Sequence, residues 1–222
     1  MANLILVRHT ESQWNKKGIW TGLANIPLSK KGRKEAKDVA NLLKNMKLDI
    51  AYTSVLSRAT ETLGVIKNVL HLDSILIVEN KALNERDYGE LTGKNKWEIK
   101  KLYGEQKFLN VRRGWNYPIP NGETLKDVYQ RVVSYYKREI LPKLKMGKNV
   151  IIVAHGNSLR ALVKYLENIS DADISLLEIA TGEIYIYKLD KKANIASKQI
   201  KICKPNFPNE TKSQTPPLEQ LH

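Results

Sequence analysis

Cysteine is all but missing from this chain: Cys203 stands alone among 222 residues, so no internal disulfide can form, and its lysine-flanked place late in the sequence argues against a catalytic thiol. No apolar run reaches the length of a membrane-spanning helix, and Met1-Ala2-Asn3 gives the short apolar stretch behind it no basic leader. A cytoplasmic protein without a membrane partner is therefore expected. Zinc-ligand spacings, basic heptads and aromatic-interleaved basic stripes are also missing, so neither a bound metal nor nucleic acid is expected. Acidic residues are in the minority, 23 against 37 Lys plus Arg, for a formal charge of +14. Such an excess suits nucleic acid, an acidic surface or a small anionic substrate, and charge alone does not choose among them. Runs such as Lys30-Lys31-Gly32-Arg33-Lys34 read as solvated helix surface.

What is present is a full core. With 42% hydrophobic residues, the chain has the size of one α/β domain, placed at residues 1–203, followed by a flexible, proline-bearing tail at 204–222. Strands are expected at 4–7, 50–52, 75–78 and 150–153. Amphipathic helices are expected at 30–45, capped by Ser29, and at 57–70. Residues 80–122 read as a long connection with one short helical stretch near 95–103. Thr124 opens the longest helical pattern, ended by Pro142 and Gly147. A helix over 158–166, a cap at Ser170 and a half-exposed strand over 183–188 complete the path. Strands alternating with helices predict an α/β three-layer sandwich around a mostly parallel central sheet.

Two of the four histidines stand just past apolar runs, His9 after Leu4-Ile5-Leu6-Val7-Arg8 and His155 after Val150-Ile151-Ile152-Val153-Ala154. Ligands collect at the carboxyl ends of parallel strands, so both are expected at one site. Arg8 sets a guanidinium beside the His9 imidazole. Phosphoryl transfer needs an in-line nucleophile and fixed positive donors, and a neutral histidine nitrogen can be that nucleophile. Arg58, at the start of a predicted helix, adds a second guanidinium where unpaired N–H groups favour anions.

The segments 4–15, 20–22, 52–59, 84–89, 93–96, Arg112-Arg113-Gly114 and 154–161, in this order, resemble the histidine phosphatase superfamily and, within it, the cofactor-dependent phosphoglycerate mutases, over about Leu4 to Tyr187. The resemblance implies a phosphoglycerate mutase-like fold and an enzyme of glycolysis and gluconeogenesis that interconverts 3-phosphoglycerate and 2-phosphoglycerate through phosphohistidine. His9 would be the nucleophile and Glu85 the proton donor and acceptor. Arg8, Arg58 and His155, the last also considered in its protonated form, would clamp the transferring group. Ser12, Asn15, Thr21, Gly22, Arg86, Asp87, Tyr88, Lys96, Arg112, Arg113, Gly156 and Asn157 would bind substrate. The implied cofactor is 2,3-bisphosphoglycerate as priming donor, with no metal, and a homodimer is the family-based expectation.

Two positions depart from the family pattern. Thr10 stands where glycine commonly follows the nucleophile, which raises strain if the loop needs positive φ. Asp87 stands in place of histidine, close in sequence to Glu85, where it could repel anions or raise the acid's pKa. The 113–124 connection is shorter than in the longer mutases and would thin one wall of the site, with the tail as a candidate lid. The competing readings are a phosphatase of the same superfamily and a basic binding protein that keeps only the fold.

Overall fold

The computed structural model describes residues 1–202, so Cys203 and the proposed tail at 204–222 lie outside the described residues. Six strands, β1 (Ala2–Arg8), β2 (Ile50–Thr53), β3 (Leu76–Glu79), β4 (Val150–Ala154), β5 (Ile184–Leu189) and β6 (Ile195–Lys201), form one sheet in the order β3-β2-β4-β1-β5-β6. The four strands from β3 to β1 run parallel, while β5 and β6 are antiparallel to their neighbours.

The alternation of side chains explains the layers. Leu4, Leu6, Tyr52, Ile152, Ala154, Tyr185 and Tyr187 point to one face, where Val128 and Val132 of α5 (Leu125–Tyr135) and Leu159 and Leu162 of α7 (Gly156–Glu167) cover them. Ile5, Val7, Ala51, Ile151, Val153, Ile184 and Ile186 point to the other, against Val39 and Ala40 of α2 (Lys30–Leu42) and Leu63 and Ile66 of α3 (Ser57–Val69). A sheet buried on both faces carries continuous apolar strands, and each such side chain contributes about 1.5–3 kcal/mol. A third cluster, built by Trp20, Tyr88, Leu91, Ile99, Phe108, Val111 and Ile119, forms around the connection between β3 and α5.

Several expectations from sequence need correction. The helical stretch in that connection is α4 (Lys96–Arg113), capped by Asn95 and kinked at Gly104, whose φ is +75°. It therefore continues ten residues past Tyr103 and brings Arg112 and Arg113 into its last turn. Pro142 does not end the helix that begins at Leu125. A π turn at Tyr136–Ile140 precedes it, and α6 (Leu141–Lys145) carries the proline in its first turn, where a missing N–H is tolerated. Gly147, at φ +80°, follows the helix end. β5 is not half-exposed, since only Lys188 is in water; both tyrosine and isoleucine rows meet helices. β6, unforeseen, is exposed for almost its whole length and so has no apolar alternation to reveal it. Finally, α7 starts at Gly156 rather than Ser158, which puts His155 at its N-cap.

Candidate active site

β1 and β4 are adjacent and in register, with Arg8 opposite Ala154, so the residues that follow each strand emerge side by side. The imidazoles of His9 and His155 lie 5.0 Å apart at 59°. Both rings are buried. His9 Nδ1 lies 2.7 Å from its neighbour's carbonyl, Thr10 O. A carbonyl only accepts, so Nδ1 carries the proton and Nε2 keeps its lone pair. Burial, then Arg58 and Arg8, hold the His9 pKa well below the ordinary histidine value. The ring is neutral at neutral pH, with its Nε2 lone pair free. Thr10 shows no positive φ, so the threonine introduces no backbone strain.

His155 is held neutral in the same way, by burial first and then by Arg58 and His9, so of the two forms considered for it the neutral one holds. Its Nε2 lies 2.7 Å from Ser54 Oγ, which in turn accepts from Leu56 N. With that acceptance made, the Ser54 hydroxyl proton can go to Nε2 and leave the imidazole proton on Nδ1.

Arg8 lies beneath the start of α7, where a Cβ at Gly156 would be in ordinary contact with its guanidinium carbon at 3.4 Å. Arg8 Nη1 donates to Ile179 O at 2.5 Å. Arg58, in the first turn of α3, donates through Nη1 to Ala24 O (2.9 Å) and through Nη2 to Gly22 O (2.8 Å), and burial lowers its pKa to about 10. Gly22 itself has φ +49°, and a Cβ there would press to 2.9 Å from Thr92 Oγ1. Glu85 Oε1 accepts from the backbone N–H of Arg86 (2.8 Å) and of Asn157 (3.1 Å). Asn157 also donates from its side chain to Tyr88 Oη at 2.8 Å and accepts from Arg160 Nη1 at 2.9 Å.

These groups enclose a cavity lined by six cations, Arg8, Arg58, Lys96, Arg112, Arg113 and Arg160, and two carboxylates, Glu85 and Glu178. Burial and the neighbouring Arg112 and Arg8 lower the Lys96 pKa to about 8, and its ammonium stands 5.6 Å over the Trp20 ring. Among the described residues the buried side-chain nitrogens and oxygens without a hydrogen-bond partner are Arg8 Nε, Trp20 Nε1, Thr21 Oγ1, His155 Nδ1 and Arg160 Nε. Four belong to residues of this wall and the fifth to the histidine packed against His9. Leaving a buried donor unmade costs about 1–3 kcal/mol. Five at one place, all able to donate, make a site shaped for a multiply charged anion.

Of the residues expected at the site, Arg8, His9, Asn15, Thr21, Gly22, Arg58, Glu85, Tyr88, Lys96, Arg112, Arg113, Gly156 and Asn157 line this cavity. Ser12, Arg86 and Asp87 do not. Ser12 caps α1 (Gln13–Lys16) and gives both its N–H and hydroxyl to Asn15 Oδ1 (3.2 and 2.8 Å), which turns the Asn15 amide donors outward. Arg86 is buried and spends its guanidinium on the carbonyls of Glu123, Val111 and Tyr117, fastening the connection from beneath. Asp87 Oδ1 accepts from Gly89 N at 2.8 Å, so its carboxylate closes a local turn. His155 contributes from behind the wall. Trp20, Arg160, Glu178 and Ile179 line the cavity without having been singled out. Arg160 is one turn beyond Gly156 on α7 and so shares its face, a readable signal; Glu178, on an irregular segment, offered none. No group of three or more His, Cys, Asp or Glu is placed to hold a metal among the described residues, and no helix among them is long and apolar enough to cross a membrane.

Comparison with known proteins agrees with this geometry. Residues 4–199 match the model of the histidine phosphatase superfamily (branch 1). A 2,3-bisphosphoglycerate-dependent phosphoglycerate mutase of Parvibaculum lavamentivorans is 43% identical over 201 residues, covering 90% of this chain and 96% of that protein. One from Methanococcus vannielii is 44% identical over 217 aligned positions that take in 86% of this chain and 92% of its own, so that relative carries segments without a counterpart here. Among solved structures, Bacillus stearothermophilus YhfR superimposes with a TM-score of 0.74 at 26% identity, covering 88% of this chain and 96% of that one. The alpha-ribazole phosphatase from Shigella flexneri gives 0.72 at 24% identity, with 86% and 92% covered, a likeness of fold. The chain belongs to the histidine phosphatase superfamily and, within it, to the 2,3-bisphosphoglycerate-dependent phosphoglycerate mutase family.

Proposed function

We propose that this protein interconverts 3-phosphoglycerate and 2-phosphoglycerate by way of a phosphohistidine at His9, primed by 2,3-bisphosphoglycerate. The observation that carries the reading is the set of orphaned donors around a neutral imidazole whose Nδ1 proton is already bound to Thr10 O. His9 Nε2 attacks the phosphorus in line, the N–P bond forms as the P–O bond breaks, and the departing alkoxide takes a proton from Glu85. In the return step Glu85 removes the proton of the other hydroxyl as that oxygen attacks phosphohistidine. Glu85 Oε1 is fixed by two backbone N–H groups, and Oε2 takes no bond from the described residues, so it is the oxygen available for proton transfer.

Arg8, Arg58 and the His155 Nδ1–H neutralise the oxygens of the transferring group; losing one such donor typically costs about 10²–10³ in rate. Lys96, Arg112 and Arg113 hold the carboxylate and the second phosphate, since arginine forks match both geometries. These fixed cations perform the charge neutralisation that a metal ion would otherwise supply.

The test is a coupled mutase assay with and without 2,3-bisphosphoglycerate, together with a phosphoenzyme assay. Priming dependence, with an acid-labile and base-stable label lost in His9→Ala, is expected. Orthovanadate should inhibit and a chelator should not. Phosphate release without isomerisation would turn the assignment to a phosphatase.

A further inference from the structure

Of the two carboxylates in the cavity wall, Glu85 has a part in proton transfer and Glu178 has none. Glu178 opposes the charge of any anionic ligand, yet it pairs with the arginines that would receive one. Its Oε1 lies 3.5 Å from Arg112 Nη2 and makes a closer ion pair with Arg113 Nη2. The segment that carries it is fastened through its carbonyls by three arginines of the site. Arg160 Nη2 donates to Ile174 O (2.7 Å), Arg113 Nη1 to Leu177 O (3.4 Å) and Arg8 Nη1 to Ile179 O (2.5 Å). The backbone is thus held independently of the Glu178 side chain, which can leave the arginines without moving the segment.

Exposure decides how firmly that side chain is held. The Glu178 side chain is 59% exposed and that of Arg113 16%, and an ion pair with so wet a partner is a weak one. Arg113, in contrast, keeps its bond to Leu177 O, and its own carbonyl accepts from Arg160 Nη2 at 2.9 Å. Removing the carboxylate would leave the guanidinium in place and free. Relief of competition therefore outweighs any loss of positioning.

We propose that Glu178 is a specificity-determining residue, an internal carboxylate that competes with the non-transferring anionic group of the substrate for Arg112 and Arg113 and so limits how much negative charge the site accepts. The inference rests on reading the cavity as a phosphoglycerate site. An anionic group that binds Arg112 and Arg113 must displace the Glu178 carboxylate and then lie beside it. The repulsion grows with ligand charge, so it weighs more on a bisphosphate than on a monophosphate. Glu178 takes no part at His9, and the turnover number is untouched.

Binding without turnover isolates the effect. In a His9→Ala background, Glu178→Gln is titrated calorimetrically with inorganic sulfate, 3-phosphoglycerate and 2,3-bisphosphoglycerate. Glu139→Gln, at a surface pair with Arg138, controls for net charge. Dissociation constants are expected to fall about three- to tenfold for Glu178→Gln, with the larger change for the bisphosphate, and to stay put for Glu139→Gln. In the active enzyme, Glu178→Gln should lower KM by a similar factor with kcat kept. Unchanged or weaker binding in Glu178→Gln, or the same tightening for mono- and bisphosphate, overturns the proposal while leaving mutase activity standing. Tighter sulfate binding in an enzyme that shows no isomerisation would instead remove the mutase reading and leave Glu178 as the competitor.

Discussion

Thr62 Oγ1 receives the backbone N–H of Thr10 at 3.3 Å, stands 3.3 Å from Thr10 Oγ1, and donates to Arg58 O at 2.7 Å. Through this one hydroxyl the loop that carries His9 is tied to the helix that carries Arg58. The departure from glycine at position 10 has thereby gained a partner on α3.

Thr62→Val keeps the shape and removes the acceptor of the Thr10 N–H. We expect a loss of about 1–2 kcal/mol in unfolding free energy, the cost of a buried unmade bond. His9 phosphorylation should slow at least tenfold, because small misplacements of reacting groups are costly. Denaturant titration and single-turnover labelling check the two effects; wild-type values in both would dismiss the Thr10–Thr62 link.

Both active-site histidines are neutral because burial and the nearby Arg58 and Arg8 depress their pKa values. The rate of His9 phosphorylation should therefore stay level as pH falls from about 8 to 6, without the loss a free imidazole near 6.5 would show. Stability behaves differently. The unfolded chain binds protons at these histidines that the folded one does not, so unfolding free energy should decline as pH drops below about 6.5. A midpoint near 6.5 in the labelling rate would refute the neutral-imidazole assignment.

Lys96 titrates on the other side of neutrality. Burial first, then Arg112 and Arg8, bring its pKa to about 8, so above that value it loses the charge with which, on the proposed reading, it would hold the substrate anion. kcat/KM, which reports the free enzyme, should fall through about pH 8, while kcat, measured with the anion bound and the ammonium favoured, should fall at higher pH. Lys96→Arg should move the kcat/KM limb upward. In stability the sign is reversed: the folded chain binds fewer protons here than the unfolded one between about 8 and 10.5, so this site's contribution rises with pH across that window. Coincident limbs for kcat and kcat/KM would assign the titration elsewhere.

Ser54 is expected to matter without touching substrate. Its hydroxyl orients His155 through Nε2, as partners orient metal-bound histidines, whose loss costs about 10–100-fold. Ser54→Ala should reduce kcat by that factor with KM nearly constant, and Ser54→Thr should restore most of it. A change confined to KM would place the serine in binding.

The site was legible where chemistry and chain position coincide. His9 and His155 stand directly after apolar strands, and parallel register delivers whatever follows such strands to one end of the sheet. Arg112 and Arg113 were legible as residues but not as geometry. Only the continuation of α4 past the Gly104 kink carries them across the cavity. Ser12, Arg86 and Asp87 show the converse case, being absent from the cavity lining. Each lies within a segment that resembles the family's binding motifs, and each turns its polar atoms onto backbone or onto a neighbour. A sequence position near a site does not state where a side chain points.

The sequence by itself determined the parallel strands and the helices that cover them, the pair of post-strand histidines and the excess of basic side chains, because alternation, caps and charge are local properties of the chain. The tertiary structure decided the rest. Neutrality of the histidines depends on burial, the tautomer of His9 on a carbonyl, the depressed pKa of Lys96 on arginines distant in sequence, and the Glu178 pairing on a segment 65 residues beyond Arg113. Electrostatic energy depends on separation and solvent access, and for residues so far apart along the chain only folding sets both.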